Sequence, residues 1–92
     1  MAYSVLIVDD EDLTLCTISR GLTAEGFEIL TAASGEEALQ IFEDEKPDLV
    51  LLDIVLPGID GVEVLRQIKA ANPACIVVMM SAYTWWIARW KP

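Results

Sequence analysis

The sequence predicts an α/β fold built on one open parallel sheet, and three observations favour it. Short apolar runs alternate with amphipathic stretches, as expected of strands and helices in βα units. The runs at residues 5–8, 49–52 and 76–80 have no polar alternation, which is typical of strands covered on both faces. Turn and cap residues separate the segments. With 92 residues, the chain has room for one small domain.

The first βα unit begins with residues 5–8 as a strand, followed by the acidic residues 9–12. Apolar side chains then recur at helical spacing, at Leu15, Ile18 and Leu22. Gly26 is the predicted C-terminal cap of this helix, because glycine tolerates the left-handed backbone that ends many helices.

The second unit begins with residues 27–32 as a short strand. Ser34 and Glu37 form a capping box, which predicts the start of the second helix. One face of that helix is apolar, with Ala38, Ile41 and Phe42. Pro47 ends it, because proline cannot continue the helical hydrogen bonding.

The last two strands are predicted at residues 49–52 and 76–80. The first of them runs directly into Asp53, and the second into Ser81. A turn-rich connection and a third helix lie between them, and that helix has apolar residues at Val62, Leu65 and Ile68.

The composition excludes several classes of function. A net charge of -9 repels phosphate backbones and anionic lipid, so we expect no direct nucleic-acid or membrane partner. No apolar run reaches the roughly 18 residues of a membrane span, and the N-terminus lacks a basic leader, so a cytoplasmic location is expected. Cys16 and Cys75 form no CxxC pair and are expected to be reduced and mostly buried. Without histidine, a structural zinc site is not expected.

Acidic and hydroxyl side chains follow three of the predicted strands. If the sheet is parallel, Asp9, Asp10, Asp53 and Ser81 stand at the edge where open α/β sheets bind ligands. Two carboxylates about 4 Å apart repel by about 4 kcal/mol at an effective dielectric of 20, so the group favours a bound cation. Oxygen ligands suit Mg²⁺, which leaves coordination positions for a phosphoryl oxygen. An aspartate here is able to act as a nucleophile toward phosphorus.

Each of these residues also has a simpler interpretation. The acids at residues 9–12 fit helix capping or solvent exposure equally well. Asp53 is harder to explain in that way, because apolar residues flank it on both sides and a buried charge without a partner is costly. Asp60 is most simply a turn residue or helix cap. Met79 and Met80 are predicted to fill the core.

Taken together, four ordered motifs resemble the receiver domain of two-component response regulators over residues 3 to about 83. They are Val-Leu-Ile-Val-Asp-Asp-Glu at 5–11, Pro-Asp-Leu-Val-Leu-Leu-Asp at 47–53, Leu-Pro-Gly-Ile-Asp-Gly at 56–61 and Met-Ser-Ala at 80–82. The resemblance implies a flavodoxin-like sheet of strand order 2-1-3-4. It also implies that residues 1–83 form an incomplete receiver domain lacking the family's fifth strand and fifth helix.

The resemblance assigns a role to each site residue. Asp53 is implied to be the phosphoacceptor, charged by a sensor histidine kinase. Asp10 and Asp53 are implied to bind Mg²⁺ directly, Asp9 to act through water, and the backbone carbonyl of Val55 to add a ligand. Ser81 takes the family's switch hydroxyl position. Such a domain is a phosphoacceptor that catalyses its own phosphorylation, and is not otherwise an enzyme.

Residues 84–92 depart from the family as a tryptophan-rich tail that contains all three tryptophans of the chain. Lys91 and Pro92 resemble the Lys-Pro end of the family's fifth strand, but too few residues precede them for a helix and another strand. Deleting one nucleotide from one synonymous coding of a typical receiver continuation reproduces the whole tail. We therefore interpret the tail as frameshifted sequence, the alternative being a shortened receiver with its own tail.

An incomplete sheet predicts self-association. Several hundred Å² of uncovered apolar sheet forfeits on the order of 10 kcal/mol at about 25 cal/mol per Å², so we expect a homo-oligomer, such as a swapped dimer. Strand four or the tail would form the contact. A helical tail would present Trp86, Ile87 and Trp90 as an apolar stripe. The alternatives to signalling are a fragment that only oligomerises and a small phosphatase or phosphotransferase enzyme. For a receiver, impaired output relay is expected.

Overall fold

The computed structural model describes residues 3–53, 56, 58–80 and 85–88 of the chain. The elements follow one another as β1 Ser4–Val8, α1 Asp12–Ala24, β2 Glu28–Ala32, α2 Gly35–Glu45, β3 Leu49–Asp53, α3 Gly61–Ala71, β4 Ile76–Met80 and β5 Trp85–Ala88. All four predicted strands are present, each within one residue of its predicted bounds. The predicted α/β fold is confirmed.

The sheet has the order β2-β1-β3-β4-β5. The first four strands are parallel, so the predicted order 2-1-3-4 is confirmed. The register pairs Val8 with Leu52, and Asp53 with Met80, so β1, β3 and β4 end at the same edge. The strand order reverses between β1 and β3, and a crevice forms at such a reversal in open α/β sheets.

The tail contributes an unexpected strand. Trp85–Ala88 is extended and pairs antiparallel with β4, from Val77 opposite Ala88 to Met80 opposite Trp85. The helical form considered for the tail is therefore not adopted by these four residues. The physical reason is that β4 offers an edge of unpaired backbone groups, and tryptophan and isoleucine favour extended pairing at such an edge. The remaining tail residues lie outside the described part of the chain.

One face of the sheet packs under α2 and α3 and forms the main core. Its fully buried members from the strands are Leu6, Val8, Val50, Leu52 and Val77, and those from the helices are Ala38, Val64 and Ile68. Met79 is 6% exposed and packs into this core, as predicted. Burial of each large apolar side chain contributes about 1.5–3 kcal/mol, so this layer supplies much of the stability.

The opposite face is only partly covered. Helix α1 packs over β1 and β2, where Val5 and Ile7 are fully buried. No residue of α1 is itself buried. Farther along the sheet, Leu49 and Val78 are half-buried and Ile76 is 54% exposed. We call this strip of β3 and β4, defined by Leu49, Ile76 and Val78, the open face.

Side-chain caps start two of the helices. Asp60 Oδ1 accepts a hydrogen bond from the backbone N–H of Glu63 at 2.9 Å, so the interpretation of Asp60 as a helix cap is confirmed. Ser34 Oγ accepts from the N–H of Glu37 at 3.2 Å. The Glu37 carboxylate accepts from the N–H of Ala33 at 2.6 Å, one residue earlier than a standard capping box. These bonds satisfy backbone donors that have no partner inside the helix.

Two helical glycines give opposite expectations for the same substitution. A Cβ on Gly35 would lie 2.5 Å from Ile59 Cγ1 and 2.8 Å from Val64 Cγ2, so Gly35→Ala must push α2 away from α3. We expect it to lower the free energy of unfolding by about 1–3 kcal/mol. A Cβ on Gly21 would have no atom within 4 Å, so Gly21→Ala should raise the free energy of unfolding by about 0.5–1 kcal/mol. Urea unfolding measures both, and a stabilising Gly35→Ala would contradict the packing.

The two cysteines differ in exposure. Cys75 is 2% exposed, but Cys16 is exposed, so the prediction of buried thiols is wrong for Cys16. Cys16 follows Leu15, which faces the sheet, and one residue turns the helix by about 100°. Burial raises the pKa of the Cys75 thiol; the nearby ammonium of Lys69 opposes that rise and the carboxylate of Asp48 adds to it.

Thiol labelling should separate the two cysteines. In the folded protein we expect Cys16 to react with a disulfide reagent at the rate of a free thiol, and Cys75 to react only after unfolding. Labelling time courses with and without urea test this, and prompt labelling of both thiols in the folded protein would contradict it.

The raised pKa of folded Cys75 also makes stability depend on pH. The contribution of this thiol to the free energy of unfolding is complete below the unfolded thiol pKa of about 8.5 and is lost as pH rises through the folded pKa.

Candidate functional site

Three carboxylates meet where β1 and β3 end. Asp9 and Asp10 directly follow β1, and Asp53 is the last residue of β3. The two strands are parallel neighbours, and Val8 at the end of β1 is opposite Leu52 in β3. The chain therefore delivers all three side chains to the same edge of the sheet, at the point where the strand order reverses.

The carboxylates converge closely enough to share one cation. One carboxylate oxygen from each of Asp9, Asp10 and Asp53 lies within 4.8 Å of the other two. We call these three carboxylates the acidic cluster. Asp9 is 6% exposed, Asp53 is half-buried and Asp10 is exposed, so the cluster opens to solvent through Asp10. The structure thus brings together three residues that the sequence assigned to one site.

Backbone hydrogen bonds fix Asp9 in this position. Its N–H donates to the carbonyl of Ala32 at 3.0 Å, which ties the end of β1 to β2. Its Oδ1 accepts from the N–H of Glu11 at 2.9 Å. Glu11 is the N-cap of α1 and makes no capping bond with its own side chain, so Asp9 takes part in the start of that helix. Asp9 therefore combines the two interpretations, a contact at a helix start and a member of the acidic cluster.

The contact between Asp9 and Glu11 was not anticipated from the sequence. The donor is a backbone N–H, which every residue except proline carries, so no pattern of residue types marks it. Asp12 lies in the first turn of α1, where the helix dipole favours a negative side chain. The run of acids after β1 therefore divides between the acidic cluster and the helix start.

The electrostatics of the acidic cluster favour a bound cation. At a separation of 4.8 Å, the repulsion between two carboxylates is about 3.5 kcal/mol at an effective dielectric of 20. The donor atoms are all oxygens, the type that Mg²⁺ and Ca²⁺ prefer. Magnesium retains several waters when it binds one or two carboxylates, which matches a cluster that is partly open to solvent. The residues present fit a Mg²⁺ site.

Two of the predicted site residues lie outside the described residues. These are Val55, expected to offer a backbone carbonyl, and Ser81, expected to offer a hydroxyl. Met80 directly precedes Ser81 and is the register partner of Asp53. The assignments of Val55 and Ser81 remain predictions.

Fold and site together define a class. An open parallel sheet of order 2-1-3-4, with acidic side chains in the crevice between its first and third strands, is a flavodoxin-like α/β domain. No helix in the described part of the chain has the length and apolar character needed to cross a bilayer.

Comparison with known proteins identifies the family within that class. Residues 5–86 match the response regulator receiver domain. The chain is 40% identical over 83 residues to sporulation initiation phosphotransferase F of Bacillus subtilis, and 41% identical over 80 residues to a cyclic di-GMP phosphodiesterase of Thermotoga maritima. It therefore belongs to the receiver domain family of two-component response regulators.

Solved structures agree with this assignment. A CheY-like receiver domain protein of Methanospirillum hungatei matches 91% of the chain with a TM-score of 0.88 and 33% identity. The response regulator TrrA of Thermotoga maritima, solved in complex with Mg²⁺ and BeF, matches 89% with a TM-score of 0.84 and 40% identity. The fold of the described residues is that of a receiver domain.

The chain is short relative to these proteins. It spans 67% of the Methanospirillum chain and 71% of TrrA. The alignment with sporulation initiation phosphotransferase F includes 90% of this chain and 67% of that protein. The alignment with the phosphodiesterase includes 87% of this chain and 21% of that protein. The chain thus spans about two thirds of these receiver proteins and about a fifth of the phosphodiesterase.

Proposed function

We propose that this receiver domain accepts a phosphoryl group on Asp53 from a sensor histidine kinase, in a Mg²⁺-dependent reaction that the domain itself catalyses. The supporting observation is the acidic cluster. One carboxylate oxygen of Asp53, at the end of β3, lies within 4.8 Å of one from Asp9 and one from Asp10. Family membership supports the same role, because receiver domains are phosphoacceptor signalling domains. We also propose a cytoplasmic location, because the kinase and ATP meet there.

The reaction is a transfer of one phosphoryl group between two protein side chains. A carboxylate oxygen of Asp53 attacks the phosphorus of the kinase phosphohistidine. A P–O bond to Asp53 forms as the P–N bond to the histidine breaks. The histidine leaves as a neutral imidazole, either because its other ring nitrogen already carries a proton or because the departing nitrogen takes one from solvent. The product is an aspartyl phosphate, an acyl phosphate that later hydrolyses.

The chain's own residues position this step. Asp9 has one carboxylate oxygen held by the N–H of Glu11, which leaves its other oxygen for a metal-bound water. Asp10 and Asp53 would bind Mg²⁺ directly, with the carbonyl of Val55 as a further ligand. When bound, Mg²⁺ offsets the negative charge that develops on the phosphoryl oxygens. The complex of TrrA with Mg²⁺ and BeF supports this choice of metal.

Ser81 is the proposed donor to the new phosphoryl group. Ser81 directly follows Met80, which is the register partner of Asp53 at the end of the neighbouring strand. A hydrogen bond from a hydroxyl to an anionic oxygen is short and strong, so it would bias the β4 end toward the phosphorylated arrangement.

Acetyl phosphate tests the proposal without knowledge of the kinase. With acetyl phosphate and Mg²⁺, the intact mass of the protein should rise by one phosphoryl group. The same incubation with a chelator in excess over Mg²⁺ should leave the mass unchanged. An adduct of equal yield in both reactions would contradict a metal-dependent site.

A second candidate is a fragment that oligomerises without signalling. The exposure of the open face, with Ile76 at 54%, favours it. This candidate predicts no phosphoryl adduct and no effect of Mg²⁺. Mass spectrometry in acetyl phosphate therefore distinguishes the two candidates, since self-association alone consumes no phosphoryl donor.

A further inference from the structure

We propose that the order of helix α1 is coupled to the metal site, so that its first turns open readily without Mg²⁺ and are held closed when the acidic cluster binds the ion. This inference rests on the proposed function and deepens it, because the site then controls a conformation as well as the charge at Asp53. Two features of the chain support it, the weak anchoring of α1 and the place of Asp9 and Asp10 between β1 and α1.

Helix α1 has the weakest hold on the fold among the three helices described. None of its residues is buried, whereas α2 buries three residues and α3 buries four. The side chains of α1 that pack against the sheet, Leu15, Ile18 and Leu22, are half-buried. Elements with little buried apolar surface open locally at a lower free energy than the core.

The ends of α1 add little to this hold. Its N-cap residue, Glu11, makes no capping bond with its side chain, whereas Ser34 and Asp60 cap α2 and α3. The last turn of α1 carries no basic residue, and Glu25 at the C-cap places a negative side chain at the negative end of the helix dipole. Gly21 in the helix interior adds backbone freedom. Helix α1 therefore depends on the contacts at its start.

The contact at that start belongs to the acidic cluster. The backbone N–H of Asp9 donates to the carbonyl of Ala32 at 3.0 Å, which anchors Asp9 to β2. Asp9 Oδ1 accepts from the N–H of Glu11 at 2.9 Å, so this bond closes over Asp10 and holds the residue that starts α1. Asp10 follows the end of β1, and the same bond keeps it beside Asp9. If α1 opens from its start, Asp10 leaves the acidic cluster.

Charge links the two events. One carboxylate oxygen from each of Asp9, Asp10 and Asp53 lies within 4.8 Å of the other two, so the three groups repel one another when no cation is present. That repulsion favours displacement of Asp10 and, with it, the start of α1. An arrangement from which Asp10 has departed binds a cation less tightly, so a bound cation favours the closed start of the helix.

Amide hydrogen exchange tests the coupling without measuring phosphorylation. The reporter is Leu15, whose N–H donates to the carbonyl of Glu11 at 3.1 Å in the first turn of α1. In Mg²⁺ at about 100 times its dissociation constant, exchange at Leu15 should slow by about 10- to 100-fold relative to chelator. The controls are Lys46 and Asn72, exposed residues whose N–H groups close the last turns of α2 and α3. They should change by less than about twofold.

The coupling also predicts an effect of the helix on the metal. Ile18→Ala removes a half-buried contact between α1 and the sheet, and should weaken Mg²⁺ binding by about threefold or more, because the competent arrangement is less populated. Ile41→Ala on α2 is the matched control, since Ile41 is also half-buried but packs into the main core. It should bind Mg²⁺ like the wild type. Amide chemical shifts followed through a Mg²⁺ titration give each dissociation constant and show that each variant is folded.

The outcomes separate this inference from the proposed function. If Mg²⁺ shifts the amides of the acidic cluster but leaves exchange at Leu15 unchanged, the coupling is overturned and the metal site stands. Equal slowing at Leu15, Lys46 and Asn72 would also overturn the coupling, because the effect would then belong to the whole fold. Wild-type affinity in Ile18→Ala would do the same. If Mg²⁺ shifts no amide near the cluster, both proposals fall.

Discussion

Asp53→Asn is expected to abolish the phosphoryl adduct that forms in acetyl phosphate and Mg²⁺. The amide has nearly the shape of the carboxylate but lacks the anionic oxygen that attacks phosphorus. Removing one of three mutually repelling carboxylates should leave the fold intact, because their oxygens lie within 4.8 Å of one another. Intact mass spectrometry of wild type and variant in parallel gives the measurement.

Asp48→Asn is the matched control for this substitution. Asp48 precedes β3, at the end of the strand opposite to Asp53, and its Oδ2 accepts from the N–H of Ser4 at 2.8 Å. The same chemical change there should leave the adduct at its wild-type yield. Retention of the adduct in Asp53→Asn, or equal loss in both variants, would refute the assignment of the acceptor.

Mg²⁺ is expected to stabilise the wild-type fold, and Asp10→Asn to remove most of that effect. A ligand at 100 times its dissociation constant adds about 2.7 kcal/mol to the free energy of unfolding. Without metal the variant should be slightly more stable than wild type, by about 0.5–1 kcal/mol, because Asp10 is exposed and solvent screens its repulsion. The substitution thus has opposite effects with and without Mg²⁺.

Urea unfolding in Mg²⁺ and in chelator measures both effects. Asp44→Asn on α2 is the control, since the Asp44 carboxylate accepts from Gln40 Nε2 on the same helix. It should keep the full response to Mg²⁺. If Asp10→Asn responded to Mg²⁺ as strongly as the control, the acidic cluster would not be the metal site.

The parts of the fold that could be predicted are those determined by neighbouring residues in the sequence. Short unbroken aliphatic runs are typical of strands in a parallel sheet, and the strands at Leu49–Asp53 and Ile76–Met80 form as expected. Coverage on both faces was not met at β4, where Ile76 is 54% exposed. Asp60 caps α3, and Gly26 follows α1 with a φ of 93°, a backbone that glycine adopts without strain. The convergence of Asp9 and Asp53 follows from parallel pairing of β1 and β3.

The features that escaped prediction depend on tertiary contacts. Trp85–Ala88 contains residue types that favour strands, but their spacing also fits one face of a helix, and pairing with the edge of β4 determines the outcome. Cys16 is exposed because α1 rests on the sheet through one narrow face. The bond from Glu11 to Asp9 uses a backbone donor. The sequence predicted an uncovered area at strand four or the tail, and the structure places it on Leu49, Ile76 and Val78 of β3 and β4.

The location of the phosphoryl group tests the central claim most directly. After incubation with acetyl phosphate and Mg²⁺, borohydride reduction converts an aspartyl phosphate to homoserine, which peptide mass spectrometry then locates. We expect homoserine at position 53 alone, and only when Mg²⁺ was present. Homoserine at position 9 or 10, or an equal yield at 53 in chelator, would contradict a metal-dependent acceptor at the end of β3.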